Sequence, residues 1–169
     1  MQQYQLVSEV TLYGYEELPS EDRRLIDMAR EATKRSYAPY SHFYVGAALR
    51  LKNGVELMGC NQENAASPVT VCAERSAIFA AGAQYPEQPV LALAISARNA
   101  EGFLNHPTAP CGSCRQVILE TETRFGQPVR VLLDSRKGIH VVESIKALLP
   151  LQFTGESMGN GCEGNGMCK

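Results

Sequence analysis

The sequence predicts an α/β fold of three layers, α/β/α, around a mixed central sheet. Two observations carry that expectation. Strand-like and helix-like patterns alternate along most of the chain, as they do when helices cover both faces of a sheet. An antiparallel hairpin precedes that alternation: residues 44–51 and 55–58 flank Asn53-Gly54, a strong two-residue turn signal.

The elements follow in order. Tyr4, Leu6, Val10 and Leu12 alternate with Gln3, Gln5, Glu9 and Thr11, which predicts a short added strand with one buried face. Ser20 has the chemistry of a helix N-cap, with Glu21 and Asp22 favourable in the first turn. Leu25, Ile26, Met28, Ala29 and Ala32 give that helix one apolar side, and Pro39 prevents its extension. Residues 60–71 are loop-like, and a helix is expected over 72–82. Residues 90–96 are almost continuously apolar, as in a strand covered on both faces. A loop through Gly102 and Pro107 leads to Pro110 and a second helix over 111–125. Residues 129–133 predict another buried strand and 140–142 a short one, before a brief helix ending at Pro150.

Composition narrows the function classes. With 169 residues, 44% of them hydrophobic, the chain suits a single domain over 1–169 with a real core. Residues 1–19 stand as an N-terminal extension and 159–169 as a Gly/Cys-rich tail. Charged residues make up 20% and the formal net charge is -2, so no electrostatic pull toward a nucleic acid polymer or a membrane is expected. No apolar run approaches the roughly 20 residues of a membrane span. No secretory signal is evident, which favours reduced cysteines and a cytoplasmic location.

The chemistry is concentrated in two short motifs. Cys72-Ala73-Glu74 lies upstream of Pro110-Cys111-Gly112-Ser113-Cys114. Three cysteines can hold one zinc per chain and leave its fourth position for a water, whose pKa the metal draws toward neutrality. A carboxylate beside that water, Glu74, can move its proton. Such a set, three sulfurs with a non-ligand Glu, resembles the general signature of zinc nucleobase deaminases. Both clusters fall at expected helix starts, where free N–H groups favour anionic sulfur. Three thiolates on zinc leave a charge of -1, and Arg75 and Arg115 are the candidate compensating cations. A bare Cys-x-x-Cys also fits a redox pair, and Cys60 as a fourth ligand would close a structural site. Cys162 and Cys168 are expected to be incidental thiols, and His42, His106 and His140 lack metal-ligand spacing.

Longer motifs then resemble a known family, the small zinc-dependent cytidine deaminases of the homotetrameric type with three cysteine ligands. The resemblance runs from about Ser36 to Phe153. It includes Ala38-Pro39-Tyr40-Ser41-His42-Phe43, Val45-Gly46-Ala47-Ala48-Leu49, Asn61-Gln62-Glu63-Asn64-Ala65, Cys72-Ala73-Glu74-Arg75, and Pro110 through Val117. It implies a cytidine deaminase-like fold, zinc held by Cys72, Cys111 and Cys114, and proton transfer by Glu74. It further implies ribose contacts from Asn61 and Glu63, ring packing by Phe43, and a contact from Ala65 to a neighbouring subunit's substrate. Phe153 is expected to reach across subunits of a homotetramer with shared active sites. The substrate expected from the resemblance is a small nucleoside, deaminated from cytidine or deoxycytidine to uridine or deoxyuridine with release of ammonia. The alternatives are a deaminase of another nucleoside or heterocycle, or a non-catalytic nucleoside-binding zinc protein. Ser67 stands where the family usually has Tyr, and Tyr44 where Pro is common.

Overall fold

The structure, a computed structural model, describes residues 1–159. Among these, seven strands form one sheet: β1 (Thr11–Tyr13), β2 (Tyr44–Leu51), β3 (Glu56–Cys60), β4 (Val90–Asn99), β5 (Gly102–Phe103), β6 (Arg130–Leu133) and β7 (Ile139–Val142). Their order is β1-β7-β6-β4-β2-β3, with β5 folded back on the end of β4. β4 and β6 are parallel and the other pairings antiparallel, so the sheet is mixed as expected.

Three helices cover it: α1 (Ser20–Ala32), α2 (Ala73–Gln84) and α3 (Gly112–Phe125). The alternation of side chains along each strand decides which helix covers which face. Ala48, Ala92, Ala94 and Leu132 pack with Leu25, Ile26 and Ala29 of α1. Their sequence neighbours Ala47, Leu49, Leu93, Ile95, Val131 and Leu133 pack with Ala77, Ile78, Ile118 and Leu119 of α2 and α3. These are the three layers the sequence predicts.

Small residues let the layers approach closely. A Cβ at Gly46 would lie 2.1 Å from the Ala29 carbonyl of α1. The parallel β4–β6 pair is joined through α3, which ends at Gly126 in the left-handed conformation (φ +59). Glu122, buried near that end, accepts from the backbone N–H groups of Val129 and Ile145 and from the Ser144 hydroxyl. It ties the helix to the start of β6 and to the chain beyond β7.

Three local expectations change. Only Thr11–Tyr13 of the N-terminal segment pairs, because its neighbour β7 is four residues long; Tyr4, Leu6, Val10 and Leu12 remain exposed. Ser20 is the first residue of α1 rather than its N-cap, since the extended Pro19 offers its carbonyl to the N–H groups of Asp22 and Arg23. Asp22 is buried and bridges Arg50 of β2 to Arg130 of β6, which its place in the first turn did not reveal. The segment around Gly102, expected to be loop throughout, contains β5. The expected tail over 159–169, with Cys162 and Cys168, lies outside the described residues apart from Gly159.

Candidate active site

α2 and α3 both start at the same edge of the core, and each is capped by a cysteine: Cys72 precedes α2 and Cys111 precedes α3. Cys114 lies one turn into α3, completely buried, while Cys111 is exposed and Cys72 half-buried. The three sulfurs lie within 4.8 Å of one another, and those of Cys72 and Cys111 are 3.9 Å apart. That is too long for a disulfide. Tetrahedral zinc with bonds of about 2.3 Å separates its sulfurs by about 3.8 Å.

The electrostatics fit a cation among them. Burial pushes the Cys114 thiol far above its usual range, and the Glu74 carboxylate and neighbouring sulfurs add to the effect. Burial acts the same way on Cys111, but the Cys114 backbone N–H and the thiols of Cys114 and Cys72 outweigh it and lower its pKa. Three sulfurs this close cannot all ionise without a positive partner. The donor set therefore fits a thiolate-bound metal such as zinc. Cys60 takes no part: its thiol donates to the Arg35 carbonyl at 3.3 Å, so among the described residues the cluster has three sulfur ligands rather than four.

Glu74, the second residue of α2, is 5% exposed. Burial raises its carboxyl pKa, while its own backbone N–H, the Cys114 thiol and Arg75 moderate the shift. Arg75 donates to the Cys72 sulfur at 3.7 Å and to the Thr70 carbonyl at 3.1 Å. Its Nε is buried without a partner, an N–H left over beside an anionic cluster. Arg115, the other candidate cation, makes no hydrogen bond to the sulfurs among the described residues. Its fork is taken by the carbonyls of Pro110 and Leu148.

The expected sugar-binding residues lie along one rim. Asn61 is 9% exposed; its Oδ1 accepts from Val45 N–H at 2.8 Å and its Nδ2 donates to the Phe43 carbonyl at 2.9 Å. Phe43, half-buried, precedes β2 at that rim. Glu63 accepts from the N–H groups of Tyr40 and Ser41 and from the Ser41 hydroxyl, which hold its carboxyl below the usual range. Ser41 is part of the motif, but its role as a prop for Glu63 was not legible, because the two lie 22 positions apart in the sequence. Ala65 is exposed in a loop, Ser67 is exposed at the start of the 3₁₀ turn Ser67–Val69, and Phe153 is 57% exposed. No helix among the described residues is long and apolar enough to cross a membrane.

An α/β/α sheet protein that gathers three sulfurs at two helix starts, with a buried carboxylate beside them, is a zinc-dependent deaminase in its class of fold and site. A family model described as the cytidine and deoxycytidylate deaminase zinc-binding region matches residues 19–125. The chain belongs to the cytidine and deoxycytidylate deaminase family. It is 38% identical over 136 residues to a cytidine deaminase of Halalkalibacterium halodurans, covering 80% of this chain and 96% of the relative. It is 39% identical over 140 residues to one of Sporosarcina psychrophila, covering 83% and 96%. The crystal structure of a cytidine deaminase from Burkholderia pseudomallei superposes with a TM-score of 0.67 at 38% identity, covering 80% of this chain and all of that one.

Proposed function

We propose that this chain is a zinc-dependent cytidine deaminase that converts cytidine and deoxycytidine to uridine and deoxyuridine and releases ammonia. The observation that carries the reading is the buried Glu74 carboxylate beside three clustered sulfurs. Cys72, Cys111 and Cys114 would hold one zinc per chain. Bound there, zinc supplies a Lewis acid that brings the pKa of water toward neutrality. Glu74 takes a proton from the water that adds to C4 of the pyrimidine and delivers it to N3. It carries the second proton to the exocyclic amine, which leaves as ammonia, and the ring departs in the keto form. Raising the carboxyl pKa by burial suits this double duty, since a group that both accepts and donates works best near the working pH.

Around that centre, Asn61 and Glu63 bind the ribose hydroxyls, and Phe43 packs on the ring. Arg75 offsets the surplus thiolate charge. Ala65 contributes to a neighbouring subunit's pocket and Phe153 crosses to a partner, which makes the working form a homotetramer with shared sites. The exposure of both residues supports that reading, because neither is engaged in its own core. The whole chain acts as one domain in a reducing cytoplasm, consistent with the free thiols of Cys60, Cys72, Cys111 and Cys114. A polynucleotide substrate is disfavoured by the net charge of -2.

Ammonia release tests the reading. Turnover is expected with cytidine and deoxycytidine, little with free cytosine, and none with guanine or single-stranded RNA. Preference for another heterocycle would reassign the substrate. Nucleoside binding without turnover in zinc-loaded protein would sink the enzymatic reading altogether.

A further inference from the structure

Arg115 meets no carboxylate among the described residues; two of its hydrogen bonds fall on the chain around Cys111 and a third reaches a remote segment. Its Nε donates to the Pro110 carbonyl at 2.8 Å, just before Cys111. Its backbone N–H donates to the carbonyl of Cys111 itself at 2.9 Å. The peptides on both sides of this cysteine are therefore fixed by one residue. A terminal nitrogen of the same guanidinium reaches 33 positions along the chain to the Leu148 carbonyl at 2.5 Å.

Leu148 ends a single 3₁₀ turn, Ile145–Leu148, and with Leu149 it rests against the core beneath α2 and α3. Beyond it the backbone turns at Leu151 (φ +53) and exposes Phe153, whose carbonyl accepts from Gln116 Nε2 at 2.9 Å. The segment over 148–153 thus hangs from Arg115 and Gln116 near the start of α3, just after Cys111 and Cys114. The planar guanidinium presents two separate nitrogens to these carbonyls in fixed geometry; a lysine offers one nitrogen on a flexible stem.

We propose that Arg115 is a positioning residue that makes metal retention at Cys111 and docking of residues 148–153 one coupled event. The inference rests on the reading of Cys111 as a zinc ligand. When the segment is docked, Arg115 is held in place and Cys111 is presented for coordination. When it lifts, the Pro110–Cys111 peptide loses its brace. Coupling of this kind is reciprocal: whatever factor docking contributes to metal affinity, bound metal returns to docking. Groups that orient metal ligands typically change affinity about 10- to 100-fold when altered.

The test uses the zinc-loaded full chain in three forms: wild type, Arg115→Lys and Leu149→Ala. Zinc release to a chromogenic chelator is followed beside hydrogen–deuterium exchange of residues 145–158, with β4 as internal reference. Zinc content of the wild type is measured first, and its absence would fail the ligand assignment itself. With zinc present, Arg115→Lys should release it about tenfold faster or more and speed exchange in 145–158 without changing β4, although it keeps the charge. Leu149→Ala alters no bond of Arg115 and nothing at the sulfurs, so faster zinc release there is the signature of coupling; this arm stands even where the lysine variant fails to accumulate. A purely structural role predicts a lower melting temperature with unchanged zinc release. Faster segment exchange in either variant with wild-type zinc release would overturn the coupling while leaving the ligands in place.

Discussion

Gly59 of β3 lies directly under Ala73 of α2: a Cβ on Gly59 would sit 2.5 Å from the Ala73 carbonyl oxygen and 2.5 Å from the Ala77 nitrogen. No real Cβ tolerates that approach, so the absence of a side chain on this strand fixes the height of α2 over the sheet. Cys72 caps that helix and Glu74 occupies its first turn. The distance between the carboxylate and the sulfurs of α3 is therefore set partly by a glycine that touches neither.

Gly59→Ala should lift α2 or bend β3. Overpacking of this kind costs about 1 to 3 kcal/mol and occasionally more, and here the displacement falls on the site. A lower melting temperature together with reduced zinc content is expected. Full zinc occupancy at an unchanged melting temperature would show that the two layers give way more easily than the spacing implies.

Glu74→Gln should retain zinc and fold while losing turnover. The amide keeps the shape of the carboxylate but carries no proton, and general acid–base catalysis is typically about 10²- to 10⁴-fold. Two transfers are asked of this one residue, so the loss should lie at or beyond the upper end. Zinc content and steady-state rates decide it; near-normal turnover in zinc-replete protein would move the proton shuttle elsewhere.

Asn61 and Glu63 should separate on substitution, because their amide and carboxylate serve different parts of the chain. Asn61→Ala leaves Val45 N–H and the Phe43 carbonyl without partners, at about 1 to 3 kcal/mol for each group left buried and unpaired. It should lower stability as well as raise KM for nucleosides. Glu63→Gln keeps an acceptor for Ser41 and should act mainly on KM. The Ser41 hydroxyl and the Tyr40 N–H hold the Glu63 carboxyl below its usual range. A depressed folded-state pKa means that its contacts persist as pH falls from 7 through the ordinary glutamate value of about 4.3 and are lost only below it. Equal effects of Glu63→Gln on cytidine and on free cytosine would remove the sugar role.

The layers and the sulfur cluster were legible in the sequence because each rests on a local pattern. The apolar run over β4, the Asn53-Gly54 turn and the two cysteine motifs report their own neighbourhoods. What stayed hidden depends on partners remote in sequence. The Tyr4 to Leu12 alternation is a genuine strand pattern, but only three residues find a neighbour on the short β7. Arg115 follows a zinc-ligand motif and looked like a charge for the sulfurs, yet its acceptor Leu148 lies 33 residues away. Asp22 carried only the mark of a favourable first-turn acid, and the two arginines that pair with it come from β2 and β6. Periodicity gives no information about such pairings.

Phe153 provides the test of assembly. Its side chain is 57% exposed and follows Leu151, which is 80% exposed. Among the described residues its backbone is held through its carbonyl, by Gln116. A large aromatic ring presented on a tethered segment contributes little to its own chain's core, so Phe153→Ala should leave the melting temperature of the dissociated chain unchanged. If the ring crosses to a partner, the same substitution should weaken the oligomer and reduce activity most at low concentration, since two-fold interfaces repeat each lost contact on both sides. Sedimentation and assay across one dilution series, for wild type and variant together, read both quantities. Activity that falls in step with dissociation supports pockets shared between subunits. A wild-type monomer fully active at every concentration would rule them out, and the exposed Phe153 and Ala65 would then need no partner for the reaction.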